Sequence, residues 1–584
     1  MEEGIWPSIR RLFGYLKPYR IPISIGIALA ILSSILSVIG PQFLSRMTDT
    51  VFASVGTGVP MDMQTIGNIG TVLLAIYSVA TVAAVLETYV LNSCSERIAS
   101  GIRHDIVGKI DRLPLRYFDR SSTGDLMSRL TNDTDTVGRS ADSISSIIVS
   151  IIMLIGSLTM MLVTDWRLAI ASVLPSVAGL FMIRGLVRRS RKYFVSQTKD
   201  LGAMNGLVDE CYTGHDEMVL FNAVSDTRIR FDEINSKLFT SSWRSRFLSS
   251  SLPQIMNLIG NLGYVAVCIV GSLFIAEGTM NYGTIVAFIV YVNQFSRPIV
   301  SVANTYASLQ SIAVSSDRIF EVLDEEEMDD ESGLEPLDRP LEGHVEFRGV
   351  RFSYEPGTEV IKGLDLEVLP GQKVAIVGPT GSGKSTLAGL LLRFYEPDSG
   401  EIRLDGRSAS SIRRSDLRRS FAVVPQSPFV FSGTLMENVA FGKEGVSQDD
   451  VVDACREVGL GSFIEGLPEG ITTRVDDIGS LSVGQKQQIV LARARCRGAS
   501  IMILDEATSS VDTRTEKVIQ DSMDRAMSGK TSFVIAHRLS TIMAADCILV
   551  VKDGNIVEKG THEELLRRKG LYSNLFDSQF DGCD

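Results

Sequence analysis

Six apolar stretches, each long enough to cross a bilayer as a helix, dominate the first half of the chain: 21–45, 66–92, 143–164, 167–188, 252–276 and 282–307. A hydrocarbon core about 30 Å thick takes about 20 apolar residues of helix. Hydrocarbon satisfies no backbone polar group, so runs of this kind cross as helices. Six crossings return the chain to the side on which it began. Basic residues identify that side. Arg10, Arg11, Lys17 and Arg20 precede span one; Arg97, Arg103, Lys109, Arg112, Arg116 and Arg120 follow span two; Arg184, Arg188, Arg189, Arg191 and Lys192 close span four. The opposite loops carry little more than Arg46 and Arg167. Excess Lys and Arg marks the cytoplasmic face. The expectation is an integral, multi-pass protein of the inner or plasma membrane, with both termini cytoplasmic.

Residues 1–20 place Ile5, Ile9, Leu12, Phe13 and Leu16 on one helical face, the pattern of an elbow helix lying in the membrane interface. With Glu2 and Glu3 at the start and no small-residue cleavage site, this segment reads as retained rather than as a cleaved signal. The membrane domain is expected over 21–320. Its two long cytoplasmic stretches are polar but helix-compatible, so the spans should continue into the cytoplasm and turn at their far ends. The turns read as Arg120–Asp125, with Gly124 and Asp125, and Tyr212–Asp216, with Gly214, His215, Asp216 and the following Glu217. Glu87 and Arg297 are charges within the apolar stretches and therefore candidates for function, although both lie near span ends, where snorkelling or an interhelical hydrogen bond would suffice.

Composition excludes other classes. A net charge of −12 argues against a nucleic-acid partner, which calls for clustered Lys and Arg. Seven cysteines without a Cys-x-x-Cys pair and five dispersed histidines offer no disulfide framework and no His/Cys metal site, and suit a reducing cytosol.

The second half reads as soluble protein. An acidic connector, Asp324–Glu331, lies in a linker over 321–344 that is expected to be solvated. From 345 to 580 an α/β domain is expected. Lys373–Val377 is a buried-strand pattern running into Gly378, Pro379, Thr380, Gly381, Ser382, Gly383, Lys384 and Ser385, followed by Thr386. Strand, glycine-rich loop and helix make this a phosphate-binding loop. Its backbone N–H groups face phosphate oxygens, Lys384 reaches the β and γ phosphates, and Ser385 can ligate Mg²⁺. Ile501–Leu504 is a second apolar strand, ending in Asp505 and Glu506. Asp505 suits the Mg²⁺ shell and leaves Glu506 to polarise the attacking water. ATP and Mg²⁺ are the expected cofactors. The fold expected is an all-α six-helix transmembrane domain plus an α/β P-loop nucleotide-binding domain.

Leu481-Ser-Val-Gly-Gln485 resembles the signature of the ABC family, and its distance upstream of Asp505 fits that family. Gln426 resembles the Q-loop glutamine, Ser509–Asp512 the D-loop, His537 the switch histidine and Tyr354 the aromatic that stacks on adenine. All stand in family order, and the resemblance covers essentially the whole chain as an exporter-type half-transporter. It implies that Gln426 joins Ser385 and Asp505 at Mg²⁺, that Ser482, Gly484 and Gln485 contact nucleotide on a partner's P-loop, that Asp512 joins the nucleotide site, that Glu506 and His537 are catalytic, and that the two cytoplasmic turns are coupling helices. Two departures stand out. Val483 occupies a signature position where Gly is commonest, and the segment Thr473–Ser480 is one residue short, with Asp476 where Gly is usual.

The resemblance implies a second half-transporter as partner, either a copy of this chain or a related one, within a lipid bilayer, with no nucleic acid. The expected activity is ATP-driven export of a small hydrophobic or amphipathic substrate by alternating access. Import by the same fold and an ATP-gated regulator or channel remain as alternatives.

Overall fold

Chain contacts divide the protein into two units, Met1–Asp111 with Thr123–Glu325, and Arg112–Ser122 with Glu326–Asp584. The computed structural model describes residues 11–12, 14–57, 61–337, 339–443, 445–478, 481–505, 513–536 and 539–580.

Among its described residues the first unit contains six helices long and apolar enough to cross a membrane: Gly14–Ser54, Met63–Ile110, Thr123–Thr164, Trp166–Thr213, Val224–Ala276 and Tyr282–Leu323. A helix of 48 residues, such as spans two and four, is about 72 Å long at 1.5 Å per residue. That is over twice the hydrocarbon thickness, so these helices run well beyond the membrane, as the polar stretches require. Local signals fix their ends. Asp62 accepts from Thr65 N at 3.0 Å to start span two, and Asp165 accepts from Arg167 N and Leu168 N to start span four. Each satisfies backbone donors that the first turn leaves open. Gly214 closes span four.

Spans one, two, three and six pack together, while four and five pair with each other and lean on six. Small residues set the close approaches, as is usual between membrane helices. A Cβ on Gly283 of span six would lie 2.0 Å from the Ser45 carbonyl oxygen of span one. Met161, Leu168, Val267, Phe288, Tyr291 and Phe295 form an apolar cluster where spans three to six meet.

Two features of this unit bear on the sequence reading. Of the elbow helix, Ile5, Ile9 and Phe13 lie outside the described residues; Leu12 and Leu16 are buried against protein. Arg11 forms a two-pronged bond to Asp324 (2.5 and 2.6 Å), and Tyr15 donates to Asp105 at 2.8 Å. The Arg11 hydrogen bond holds the Asp324 carboxyl below its usual range, so this segment is tied to the ends of spans two and six. Glu87 accepts a 2.7 Å hydrogen bond from Ser145 of span three, which accounts for its place in a helix.

The second unit has two sheets. Strands β1 (Val345–Ser353), β2 (Glu359–Val368), β4 (Ser399–Leu404) and β5 (Arg407–Ser408) form an antiparallel sheet in the order β2-β1-β4-β5. The larger sheet runs β10-β9-β3-β8-β7-β6 and comprises β3 (Lys373–Val377), β6 (Phe421–Val424), β7 (Ile501–Asp505), β8 (Thr531–Ile535), β9 (Cys547–Lys552) and β10 (Asn555–Gly560). Its strands are parallel except for β10. Apolar cores cover both faces: Val374 and Ile376 join one, Ala375 and Val377 the other. Burial on both faces explains the unbroken apolar strand sequences.

The acidic linker is not fully solvated. Glu331 accepts from the Arg414 backbone N at 2.6 Å and pairs with the Arg414 and Arg393 guanidinium groups at 2.8 and 3.2 Å. Arg393 and Arg414 are buried, and a buried cation needs such a partner.

Candidate nucleotide site

A cavity of about 450 Å³ opens at the carboxyl ends of β3 and β7, where doubly wound sheets place their ligands. Tyr354, Thr380, Gly381, Gly383, Lys384, Ser385, Thr386, Gln426 and Asp505 line it, with Val360 and Ile535. The structure thus brings the adenine-stacking candidate, the phosphate loop and all three candidate Mg²⁺ donors to one place. Val360 and Ile535 are further wall residues; apolar strand residues in an apolar sequence give no local sign of lining a site.

The loop geometry explains the glycines. Gly378 has φ +154°, and a Cβ there would lie 2.1 Å from the Val551 carbonyl oxygen. Gly383, at φ +101°, starts the helix Lys384–Leu391. Only glycine adopts such backbone without strain, and the result is a turn whose N–H groups and helix N-terminus face the cavity. Lys384 Nζ donates to the carbonyls of Gly378 and Pro379 at 2.7 and 2.9 Å, so the ammonium is held over the loop. Ser382 Oγ is buried without a hydrogen-bond partner among the described residues, as expected of a donor reserved for a phosphate oxygen. The hydroxyl of Ser385, the carboxylate of Asp505 and the amide oxygen of Gln426 are hard oxygen donors that fit Mg²⁺ alongside phosphate and water.

Tyr354 is half-buried. Its hydroxyl is 3.1 Å from Thr386 Oγ1, and its ring meets Phe352 and Tyr395 edge-on with centroids 5.0 and 5.2 Å apart. The short helix Leu115–Arg120 reaches the same residue. Arg116 Nε donates to the Tyr354 carbonyl at 2.9 Å, and Arg116 Nη2 donates to the same oxygen. Tyr395 donates its phenol proton to Asp119 at 2.8 Å; burial, then this bond, raises the Tyr395 pKa. Arg112 pairs with Glu327 at 2.8 Å. Apart from Tyr354, none of these residues was singled out from sequence as part of a site. Gly124 and Asp125 instead begin span three in the first unit, where Asp125 pairs with Arg129 at 2.8 Å and with Arg318. Gly214 caps span four, and His215, Asp216 and Glu217 open the exposed short helix His215–Leu220.

Ser482 caps the helix Val483–Arg497. Its Oγ accepts from Gln485 N at 3.2 Å, and Gln485 Oε1 accepts from Ser482 N at 2.9 Å. This reciprocal box leaves the Ser482 hydroxyl proton free to donate at an exposed, partially positive helix end. Val483 is exposed and Gly484 is buried. No signature residue lines the 450 Å³ cavity. In the short segment before the signature, Val475 N donates to the Gly433 carbonyl at 2.8 Å and Asp476 pairs with Arg474 at 3.3 Å. Glu506, Asp512 and His537 lie outside the described residues.

Comparison with known proteins gives a consistent result. Residues 23–299 match the ABC transporter transmembrane region, and residues 361–509 match the family described as ABC transporter. The fatty acid ABC transporter ATP-binding/permease protein of Mycobacterium bovis is 39% identical over 98% of this chain and 96% of its own length. The ATP-dependent lipid A-core flippase of Salmonella typhimurium is 32% identical, with 98% of each chain covered. A solved bacterial Atm1-family ABC exporter with ATP bound aligns with a TM-score of 0.74 at 26% identity, covering 96% of this chain and 98% of that one.

Proposed function

Since this chain belongs to the ABC transporters of the exporter type, an integral membrane protein with transmembrane region and ATPase fused, we propose that two copies form the working unit and move a hydrophobic or amphipathic substrate by alternating access. The protein binds and hydrolyses ATP, and hydrolysis drives export rather than import. The intact carboxylate and histidine pair, Glu506 and His537, favours turnover over a purely regulatory role.

The observation that carries the two-copy reading is the incomplete site. The cavity holds the phosphate loop and Mg²⁺ donors but no signature residue, while Ser482 offers an uncommitted hydroxyl at its own exposed helix end. A second copy facing the first completes two sites at once, the closed arrangement of a two-fold interface. A second observation agrees. Phe194, Phe239, Trp243 and Phe247 are 57–70% exposed on the parts of spans four and five that extend beyond the apolar stretches. Exposed aromatic surface of this kind outside the apolar stretches supports a protein interface.

At the site, Tyr354 stacks on the base, the loop N–H groups and Lys384 hold the phosphates, and Ser482 and Gly484 of the other copy close over the γ-phosphate. Mg²⁺ held by Ser385, Asp505 and Gln426 would neutralise the developing charge on the phosphates. Glu506 orients and polarises the attacking water, and His537 senses the γ-phosphate. Closure would be passed to the membrane helices through Arg116 and Asp119, because residues 112–122 join spans two and three directly. We read the exposed turn at Gly214–Glu217, with Asp216 and Glu217, as the second coupling turn. The basic residues of the loops favour the cytoplasm for this machinery, with the spans in the inner or plasma membrane. The test is ATP-dependent accumulation of a labelled amphiphile in everted vesicles, absent in Lys384→Ala. Accumulation without ATP, or equal accumulation in the variant, would refute the reading.

A further inference from the structure

Within the six apolar stretches, and away from the ends of span four, the charged residues are Glu87 and Arg297. Glu87 is engaged by Ser145. Arg297 is exposed and makes no hydrogen bond or ion pair among the described residues. It lies fifteen residues into span six, which starts at Tyr282, so about 22 Å of helix separates it from that end. Asn293, one turn nearer the start, and Asn304, two turns on, are also exposed on the same helical stripe. The opposite face carries Phe288, Tyr291, Val292 and Phe295, buried against the neighbouring spans.

An exposed arginine between two asparagines is expensive in hydrocarbon. Snorkelling serves the long Arg297 side chain but not Asn293, which lies about 16 Å from the helix start, near the middle of a 30 Å core, and whose side chain is short. The stripe therefore faces a water-accessible space, and in a two-copy exporter that space is the transport pathway.

We propose that this face of span six binds the acidic headgroup of an amphiphilic substrate, with Arg297 as its charge partner. The proposal rests on the exporter reading and names its substrate class: a lipid-like molecule with a carboxylate or phosphate head and an apolar tail. The guanidinium carries a permanent charge and a planar fork of donors matched to those two groups. Asn293 Nδ2 is bonded to the Ile289 carbonyl at 3.1 Å, so the charge on this stripe that can pair with an acidic group is that of Arg297. Exposed apolar surface is plentiful for the tail.

The test is saturable binding of radiolabelled palmitate to the full-length chain in phosphatidylcholine nanodiscs without nucleotide, with empty discs as background and ATP hydrolysis measured on the same sample. Losing charge-assisted hydrogen bonds weakens an interaction by about 10- to 150-fold, so Arg297→Gln should raise the palmitate Kd at least tenfold, while Arg297→Lys, which keeps the charge and loses the fork, should weaken it less than Arg297→Gln. On the parent protein, hexadecyl phosphate should displace palmitate, and hexadecanol or inorganic phosphate should not. Equal binding by Arg297→Gln, displacement by hexadecanol as good as by hexadecyl phosphate, displacement by inorganic phosphate alone, or no saturable binding to a hydrolysing sample would each overturn the site. A sample that binds palmitate but never hydrolyses ATP would count against the exporter reading instead. If Arg297→Gln does not purify as a uniform particle, the headgroup comparison on the parent decides.

Discussion

Disconnecting the helix Leu115–Arg120 from the ATPase should uncouple transport from hydrolysis while sparing ATP binding. Arg116→Ala removes two guanidinium donors from the Tyr354 carbonyl, one at 2.9 Å. A hydrogen bond with a charged partner is worth about 1.5–3 kcal/mol; this side chain is half-buried, so the lower figure applies. Tyr395→Phe removes a 2.8 Å bond to the Asp119 carboxylate, about another 1.5 kcal/mol. The two contacts hold one short helix and should not add fully. Together they amount to about 2–3 kcal/mol, or roughly 30- to 150-fold in docking. In proteoliposomes, the double variant should bind ATP within about threefold of the parent yet transport at least about tenfold less substrate per ATP hydrolysed. Burial and the Asp119 bond raise the Tyr395 pKa above its ordinary value of about 10. A raised pKa keeps the donor protonated, so this contact is complete below about pH 10 and is lost only as pH climbs through the raised value. Coupling through it should therefore be flat between about pH 6 and 9. An unchanged ratio of transport to hydrolysis in the double variant would refute this route.

Glu506→Gln should bind ATP but hydrolyse it about 10²- to 10⁴-fold more slowly, because it keeps the side-chain shape and loses the base; single-turnover hydrolysis checks this, and near-parental rates would exclude Glu506 as that base. Tyr354→Ala should weaken nucleotide binding by about 1–3 kcal/mol, the worth of one base–aromatic stack, measured by fluorescent-nucleotide titration. Gly378→Ala should abolish binding in the same titration, since its Cβ would sit 2.1 Å from the Val551 carbonyl oxygen in a loop that cannot widen without moving β9.

Much of this fold is written locally. Apolar runs gave the six spans, and a strand followed by Gly378–Ser385 gave the phosphate loop, because both patterns lie within a single element. Contacts between distant segments were not legible. Nothing in Arg116 distinguishes it from neighbouring Arg112 or Arg120 until Tyr354, over two hundred positions away, is brought beside it. Glu331 looked like any residue of an acidic run, yet Arg393 and Arg414 are buried and require it. The first turn, read at Arg120–Asp125, contains the helix break at Ser121–Ser122, whereas Gly124 and Asp125 themselves already belong to the next helix, where Asp125 pairs with Arg129. Leu12 and Leu16 showed an apolar face without showing that protein, rather than lipid alone, would cover it.

The most direct test of the central claim is to purify this chain alone in nanodiscs and measure its particle mass and its ATP turnover together. Two copies per particle, with turnover that disappears when the particle is reduced to one copy, is the predicted result. A single copy that hydrolyses ATP at full rate, or a particle inactive until a different half-transporter is added, would contradict it.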